Sequence, residues 1–214
     1  MRTMKVTGRG RLKLRPDTTR LTLTLGGVEP EYDAALRRSA DETKMLAAAF
    51  KEVGFARTDL KTQTFNINTE YEGYEDNGVW KQRFVGYRFQ YVLRVDFDSD
   101  NERLGRTLAA LASCAVNAEI RISYTVSDPD AAKNALLGKA VADAGEKAAV
   151  LADVAGVQLG VIQTIDYSWG EISFELQPTD MLAKPMASKA RFDMDIEPDD
   201  IDVSDTVTVV WEII

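Results

Sequence analysis

The stretch GRGRLKLRPD, residues 8–17, decides how the chain begins. Two glycines among basic residues suit either a loop that cradles phosphate or one strand of a sheet. Alternate positions choose between them. From Met4 the even residues read Met4, Val6, Gly8, Gly10, Leu12, Leu14, and the odd ones read Lys5, Thr7, Arg9, Arg11, Lys13, Arg15. Period-two alternation over this length is a half-buried strand with a basic outer face. A dinucleotide loop needs its glycines to follow a strand and open a helix. Here Arg15-Pro16-Asp17 makes a turn, and Leu21, Leu23 and Leu25 alternate with Thr22 and Thr24 in a second strand. The expectation is a β-hairpin, its glycines marking a bulge or a close backbone approach.

Working outward, residues 31–53 carry Tyr32, Leu36, Ser39, Thr43, Leu46, Phe50 and Val53 at helical spacing, with Gly54 placed to end the helix. In residues 58–72, Phe65, Ile67 and Tyr71 share one strand face, and Asn77-Gly78 is a strong hairpin signal. The next strand places the odd residues from Val85 to Phe97 on one face. Asp98-Ser99-Asp100 caps a helix of about fifteen residues with Leu104, Leu108 and Leu111 inward. A strand with Ile120, Ile122, Tyr124 and Val126 inward follows. Ser127-Asp128-Pro129 then opens the longest helix, over 129–155, with an inward stripe of Leu136, Ala140, Ala144, Ala148, Leu151 and Ala155. Residues 160–176 read as β structure around Ile165, Tyr167, Ile172 and Phe174. Residues 177–202 read as a long loop, before a last strand with Val203, Val207, Val209, Trp211 and Ile213 on one side. The order is ββαββαβαβ, a loop, and a C-terminal strand.

Composition narrows the function classes. The chain has 214 residues and a net charge of −8. That length supports one large domain, 1–214, or two small intertwined lobes. The acidic balance argues against nucleic acid as a partner. The charge is segregated: residues 2–20 are basic apart from Asp17, while Asp193, Asp195, Glu197, Asp199, Asp200, Asp202 and Asp205 form an acidic run. The chain has no histidine, which excludes Ser-His-Asp and Cys-His pairs and His-containing metal sites. Cys114 is the single cysteine, read as an inert buried thiol that can form no internal disulfide. No apolar run approaches the ~20 residues that cross a bilayer. The start MRTMKVTGRG lacks the apolar stretch of a signal peptide, so the expected location is cytoplasmic, or periplasmic or envelope if a leading segment was removed.

The pieces VTGRGRLKLRPDTTRLTLTL, GFARTDLKTQTFNINTEYE, VGYRFQYVLRVDFDS, AVADAGEKAAVLADVAGVQLG and IEPDDIDVSDTVTVVWEI, in this order, resemble the SIMPL family, once a domain of unknown function that includes bacterial periplasmic immunogenic proteins. The resemblance covers essentially the whole chain. It implies an α+β fold of curved antiparallel sheets with three packed helices. It also implies, from members that form large rings or channel-like oligomers, a self-associating protein. The family offers no catalytic residues to carry over.

Residue by residue, the candidate sites are interaction sites. The basic strand face (Arg9, Arg11, Lys13) and the acidic run (Asp199, Asp200) are expected to pair, within the chain or between subunits. The acidic run lacks the spacing of a calcium loop and reads as a solvated segment rather than a metal site. Tyr74 and Trp80, aromatic residues at a polar hairpin tip, suggest a partner or subunit contact. The methionines from Met181 to Met194 suit an adaptable contact surface or a loosely ordered loop. The reading is a non-enzymatic homo-oligomer with a scaffold-like, envelope- or stress-related role, without metal or cofactor. Two alternatives stand beside it: a module binding a small ligand or peptide in a cleft between sheet and helices, and a hydrolase using Asp59 or Asp96 with Glu70.

Overall fold

A computed structural model describes residues 2–167, 172–176 and 196–214. The elements run β1 (Thr3–Leu14), β2 (Thr18–Glu29), α1 (Tyr32–Glu52), β3 (Lys61–Asp76), β4 (Val79–Asp98), α2 (Asn101–Ser113), β5 (Glu119–Thr125), α3 (Pro129–Ala155), β6 (Leu159–Asp166) and β7 (Ile201–Ile213). The fold is α+β, with a three-stranded sheet of order β1-β7-β6 and a four-stranded sheet of order β3-β4-β2-β5. The element order is the one expected. The pairing of the first two strands is not.

β1 and β2 form no hairpin. β1 lies antiparallel to β7 from Thr3 opposite Glu212 to Leu14 opposite Ile201, and β2 lies antiparallel to β4. The Arg15-Pro16-Asp17 turn hands the chain from one sheet to the other. Asp17 anchors it, donating its N–H to the Thr125 carbonyl at 3.2 Å and accepting from the Ser127 N–H and hydroxyl at 2.7 Å each.

The chain divides into two compact units. The first combines the N-terminal segment to Asp17 with Thr125–Leu176 and Pro198–Ile214. Its core is α3 laid on β1 and β7: Ala140, Ala144 and Ala148 meet Val6, Val207, Val209 and Trp211. Beside it, Ala132 and Leu136 pack with Phe174, Ile201 and Val203. β1 is regular through Gly8 and Gly10, so the glycines mark a close approach and not a bulge. A Cβ on Gly8 would lie 2.7 Å from the Ala144 Cβ and closer still to the Ala140 carbonyl oxygen and Ala144 nitrogen; one on Gly10 would strike the Leu136 carbonyl. The inward line of α3 follows Ala132, Leu136, Ala140, Ala144, Ala148 and Ala152. Leu151 and Ala155, expected on that line, are exposed. Asp128 caps this helix by accepting from the Ala131 N–H at 2.8 Å, with Pro129 in the first turn.

Ile172 and Phe174 belong to no strand, although Phe174 is buried and its carbonyl accepts from the Thr125 hydroxyl at 2.9 Å. Of the loop expected at 177–202, Ile201 and Asp202 belong to β7. Its stretch 177–195, with the methionines and Asp193 and Asp195, lies outside the described residues.

The second unit is built on Thr18–Tyr124. Leu21, Leu23 and Leu25 of β2 and Phe89, Leu93, Val95 and Phe97 of β4 form the inner sheet face. Ala35, Leu46 and Phe50 of α1 and Leu104 and Leu111 of α2 cover it. Asp100 caps α2, accepting from the N–H groups of Glu102 at 2.9 Å and Arg103 at 3.1 Å. The Arg103 guanidinium lies 4.3 Å from the Phe55 ring centroid, closing the end of this core with a cation–π contact.

Candidate interaction surface

The β3–β4 hairpin outgrows its sheet. β2 stops at Glu29, opposite Tyr87, and Pro30 follows. Beyond that point, among the described residues, β4 pairs with β3 alone, from Glu70 opposite Gly86 to Asp76 opposite Val79. This two-stranded arm is seven residues long on β3, or about 23 Å at 3.3 Å per residue. Asn77 (φ 52°) and Gly78 (φ 78°) both take left-handed backbone, which gives the type I′ turn that the dipeptide signalled.

The pairing slips by one residue between Glu70 and Tyr71, and the extra residue is Val85 on β4. This bulge decides which side chains share a face. It brings Phe84, in place of Val85, onto the aromatic side. Tyr71 and Phe84 stand opposite with centroids 5.7 Å apart at 70°, Phe84 meets Tyr87 at 5.4 Å and 75°, and Tyr87 meets Tyr32 of α1 at 5.7 Å and 87°. Farther out, the Trp80 indole covers Gly73, where a Cβ would meet it at 2.7 Å. Among the described residues, the face that α1 and α2 cover in the sheet thus continues along the arm without a helix over it. Trp80 is 70% exposed and Tyr71 55% exposed there.

The opposite face is ionic. Arg88 binds Glu70 at 2.6 Å, Arg83 binds Glu72 at 2.6 Å, and Lys81 binds Asp76 at 2.6 Å. The Arg88 hydrogen bond holds the Glu70 carboxyl below its ordinary pKa. Tyr74 is opposite Lys81 on this side, whereas Trp80 is opposite Glu75 on the other. The two residues expected to form one tip surface therefore point to opposite faces.

The charged ends of the chain meet through the β1–β7 pairing. Lys13 lies 3.4 Å from Asp200, and the Arg9 guanidinium donates to the Ser204 hydroxyl at 3.1 Å. The Arg9 N–H donates to Asp143 of α3 at 2.6 Å. Lys147 first, and this N–H second, hold the Asp143 carboxyl below its ordinary pKa. Arg11 adds a weaker attraction to Asp143, and Asp199 accepts from the Asp200 N–H at 2.8 Å. Asp205 accepts from the Tyr167 hydroxyl at 2.8 Å. Among the described residues, no group of three or more Cys, Asp or Glu is placed to hold a metal ion.

The carboxylates considered for hydrolysis are apart and engaged. Asp59 accepts from the Ala56 N–H at 2.9 Å, Asp96 from Arg20 at 3.0 Å, and Glu70 from Arg88. Among the described residues, no helix is long and apolar enough to cross a membrane. The sequence already grouped Phe84 with Tyr71, Tyr74, Trp80, Tyr87 and Tyr91 around the Asn77-Gly78 turn, but it did not separate the two faces and missed Tyr32. The available signal was Gly86 inside a strand pattern, which marks a bulge.

The profile of the family described as SIMPL, protein of unknown function (DUF541), matches residues 4–211, and the chain belongs to this family. Among curated relatives, the chain is 31% identical over 162 residues to the 26 kDa periplasmic immunogenic protein of Brucella melitensis, a match covering 75% of this chain and 64% of the relative. The protein of the same name from Brucella abortus is 30% identical over the same share of each chain.

Proposed function

We propose that this SIMPL protein is a non-enzymatic, self-associating scaffold of the bacterial envelope, assembling through the aromatic face of the β3–β4 arm. One observation carries the reading: an arm of only two strands exposes Tyr71, Trp80 and Phe84 on a single face. An isolated two-stranded ribbon is marginal in water and becomes stable when its apolar face is covered. The engagement of Asp59, Asp96 and Glu70 by donors supports a role without acid–base chemistry. The names of the Brucella relatives favour the periplasm over the cytoplasmic location expected from the N-terminal residues.

The test is the mass in solution, by size exclusion with light scattering, of the wild type and a Trp80→Ala/Phe84→Ala variant. A discrete oligomer that the double variant loses supports the reading, and a monomeric wild type overturns it. Fractionation of a cell that makes the natural protein tests the location, and recovery with the cytosol would reject the periplasm.

A further inference from the structure

We infer that the arm is extended by a second copy of itself, the two β3 strands pairing edge to edge and antiparallel across a two-fold axis at Asn68. This rests on the self-association proposed above and adds to the aromatic-face contact an edge contact that leaves Trp80 and Phe84, on β4, outside the seam. β3 is an edge of its sheet, and its sixteen residues contain no proline. From Thr64 to Asp76 it runs regularly, since the arm's bulge lies on β4. The other outer strands are less suited. β1 presents Lys5, Arg9, Arg11 and Lys13, which repel a like strand; β5 has seven residues; β6 shifts register twice against β7.

Charge and shape select the register. Aromatic residues share a face across two strands only when their numbers sum to an even value. Centring on Glu70 would set that carboxylate against its own copy. Centring on Thr69 would set Phe65 against Gly73, which Trp80 already covers. Centring on Asn68 sets Phe65 against Tyr71 twice, Glu70 against Asn66 and Glu72 against Thr64, with no like charges opposed. Two arms then make one four-stranded ribbon with a continuous aromatic face. Residues 70–88 carry four acidic and three basic side chains, a balance that does not favour an anionic membrane as the occupant.

Disulfide trapping tests the register in the full chain, with Cys114→Ser removing the native thiol. Asn68→Cys should give a covalent dimer under mild oxidation. The rate should exceed that of Lys44→Cys on the exposed α1 surface by on the order of 1,000-fold at micromolar protein, because pairing brings the thiols to millimolar effective concentration. Thr69→Cys should stay monomeric, since its copies would sit on the far face about 8 Å apart, beyond disulfide reach. Trapping at Thr69 and not Asn68 would overturn the register. An intact wild-type oligomer with trapping at neither position would overturn the edge pairing alone. A monomeric wild type would remove the self-association on which the inference rests.

Discussion

The contact between β1 and α3 makes one substitution act with opposite signs at different glycines. In Gly8→Ala the new methyl would lie 2.7 Å from the Ala144 Cβ, whereas ordinary contact begins at 3.4 Å, so strand and helix must part by at least 0.7 Å (3.4 − 2.7). The obstacle includes helix backbone at Ala140 and Ala144, which cannot swing aside as a flexible side chain can. A gap of 0.5–1 Å forfeits roughly a quarter to a half of each dispersion contact along the seam. Overpacking of this kind costs about 1–3 kcal/mol, and the rigid obstacle places Gly8→Ala near 3. Gly10→Ala, against the Leu136 carbonyl, should cost about the same. The double variant should cost less than the sum, because one displacement of α3 relieves both. Gly138 and Gly145, inside α3 with open space around them, are the controls. Alanine there should stabilise by about 0.5–1 kcal/mol. Urea unfolding followed by circular dichroism reads all five variants, and a loss of about 3 kcal/mol corresponds to a melting temperature lower by about 6–12 °C. A Gly8→Ala protein within about 0.5 kcal/mol of wild type would refute the close seam of helix on strand.

The faces of the arm give a second contrast: Trp80→Ser should weaken self-association while Tyr74→Ser, on the ionic face, leaves it near wild type, as read by sedimentation velocity. Gly78→Ala places a Cβ in left-handed backbone at a cost of about 1–2 kcal/mol, and amide exchange should quicken in residues 70–86 while the buried sheet is unaffected. The pKa values of Glu70 and Asp143 are lowered in the folded state, so their ion pairs contribute fully above the ordinary carboxylate pKa. That contribution should fade as pH falls from there through the folded values; an NMR titration showing either carboxyl protonating above its ordinary pKa would reverse the sign. Lys13→Glu, facing Asp200 with side chains 64% and 38% exposed, should cost at most about 1 kcal/mol and less in high salt.

Periodicity made most of the elements legible, because each buries one face of its own and spacing within a segment reports that face. It is silent on partners. Thr7 and Thr208 share a hydrogen bond at 2.9 Å across nearly the whole chain, and nothing in GRGRLKLRPD distinguishes a strand that turns onto its neighbour from one that awaits the C-terminus. The turn at Pro16 was visible; its destination depended on Asp17 reaching Thr125 and Ser127. The seam of α3 was nearer to being legible. Glycines two apart on a strand repeat at about 6.7 Å, and alanines four apart on a helix at about 6 Å. Gly8 and Gly10 therefore match the step of Leu136, Ala140 and Ala144, and two such matching rows of small residues are a signal for close packing.

The aromatic arm failed to be legible for a different reason. Odd numbering from Val85 to Phe97 predicts one face correctly as far as Tyr87, where β2 still supports β4. Past Gly86 a single extra residue exchanges the faces, and every assignment beyond it inverts. Without that slip, Phe84 would join the ionic side, where Arg88, Glu70, Arg83 and Glu72 pair. With it, Phe84 bridges Tyr71 to Tyr87, and the ionic pairs hold the ribbon from behind without competing for its apolar side. The bulge thus separates a face that satisfies its own charges from one whose rings meet only at their edges. The second face keeps apolar surface in water that the chain's own described residues do not cover, which is the physical reason the proposed assembly is placed there and not at the charged ends, where Lys13 and Asp200 already meet.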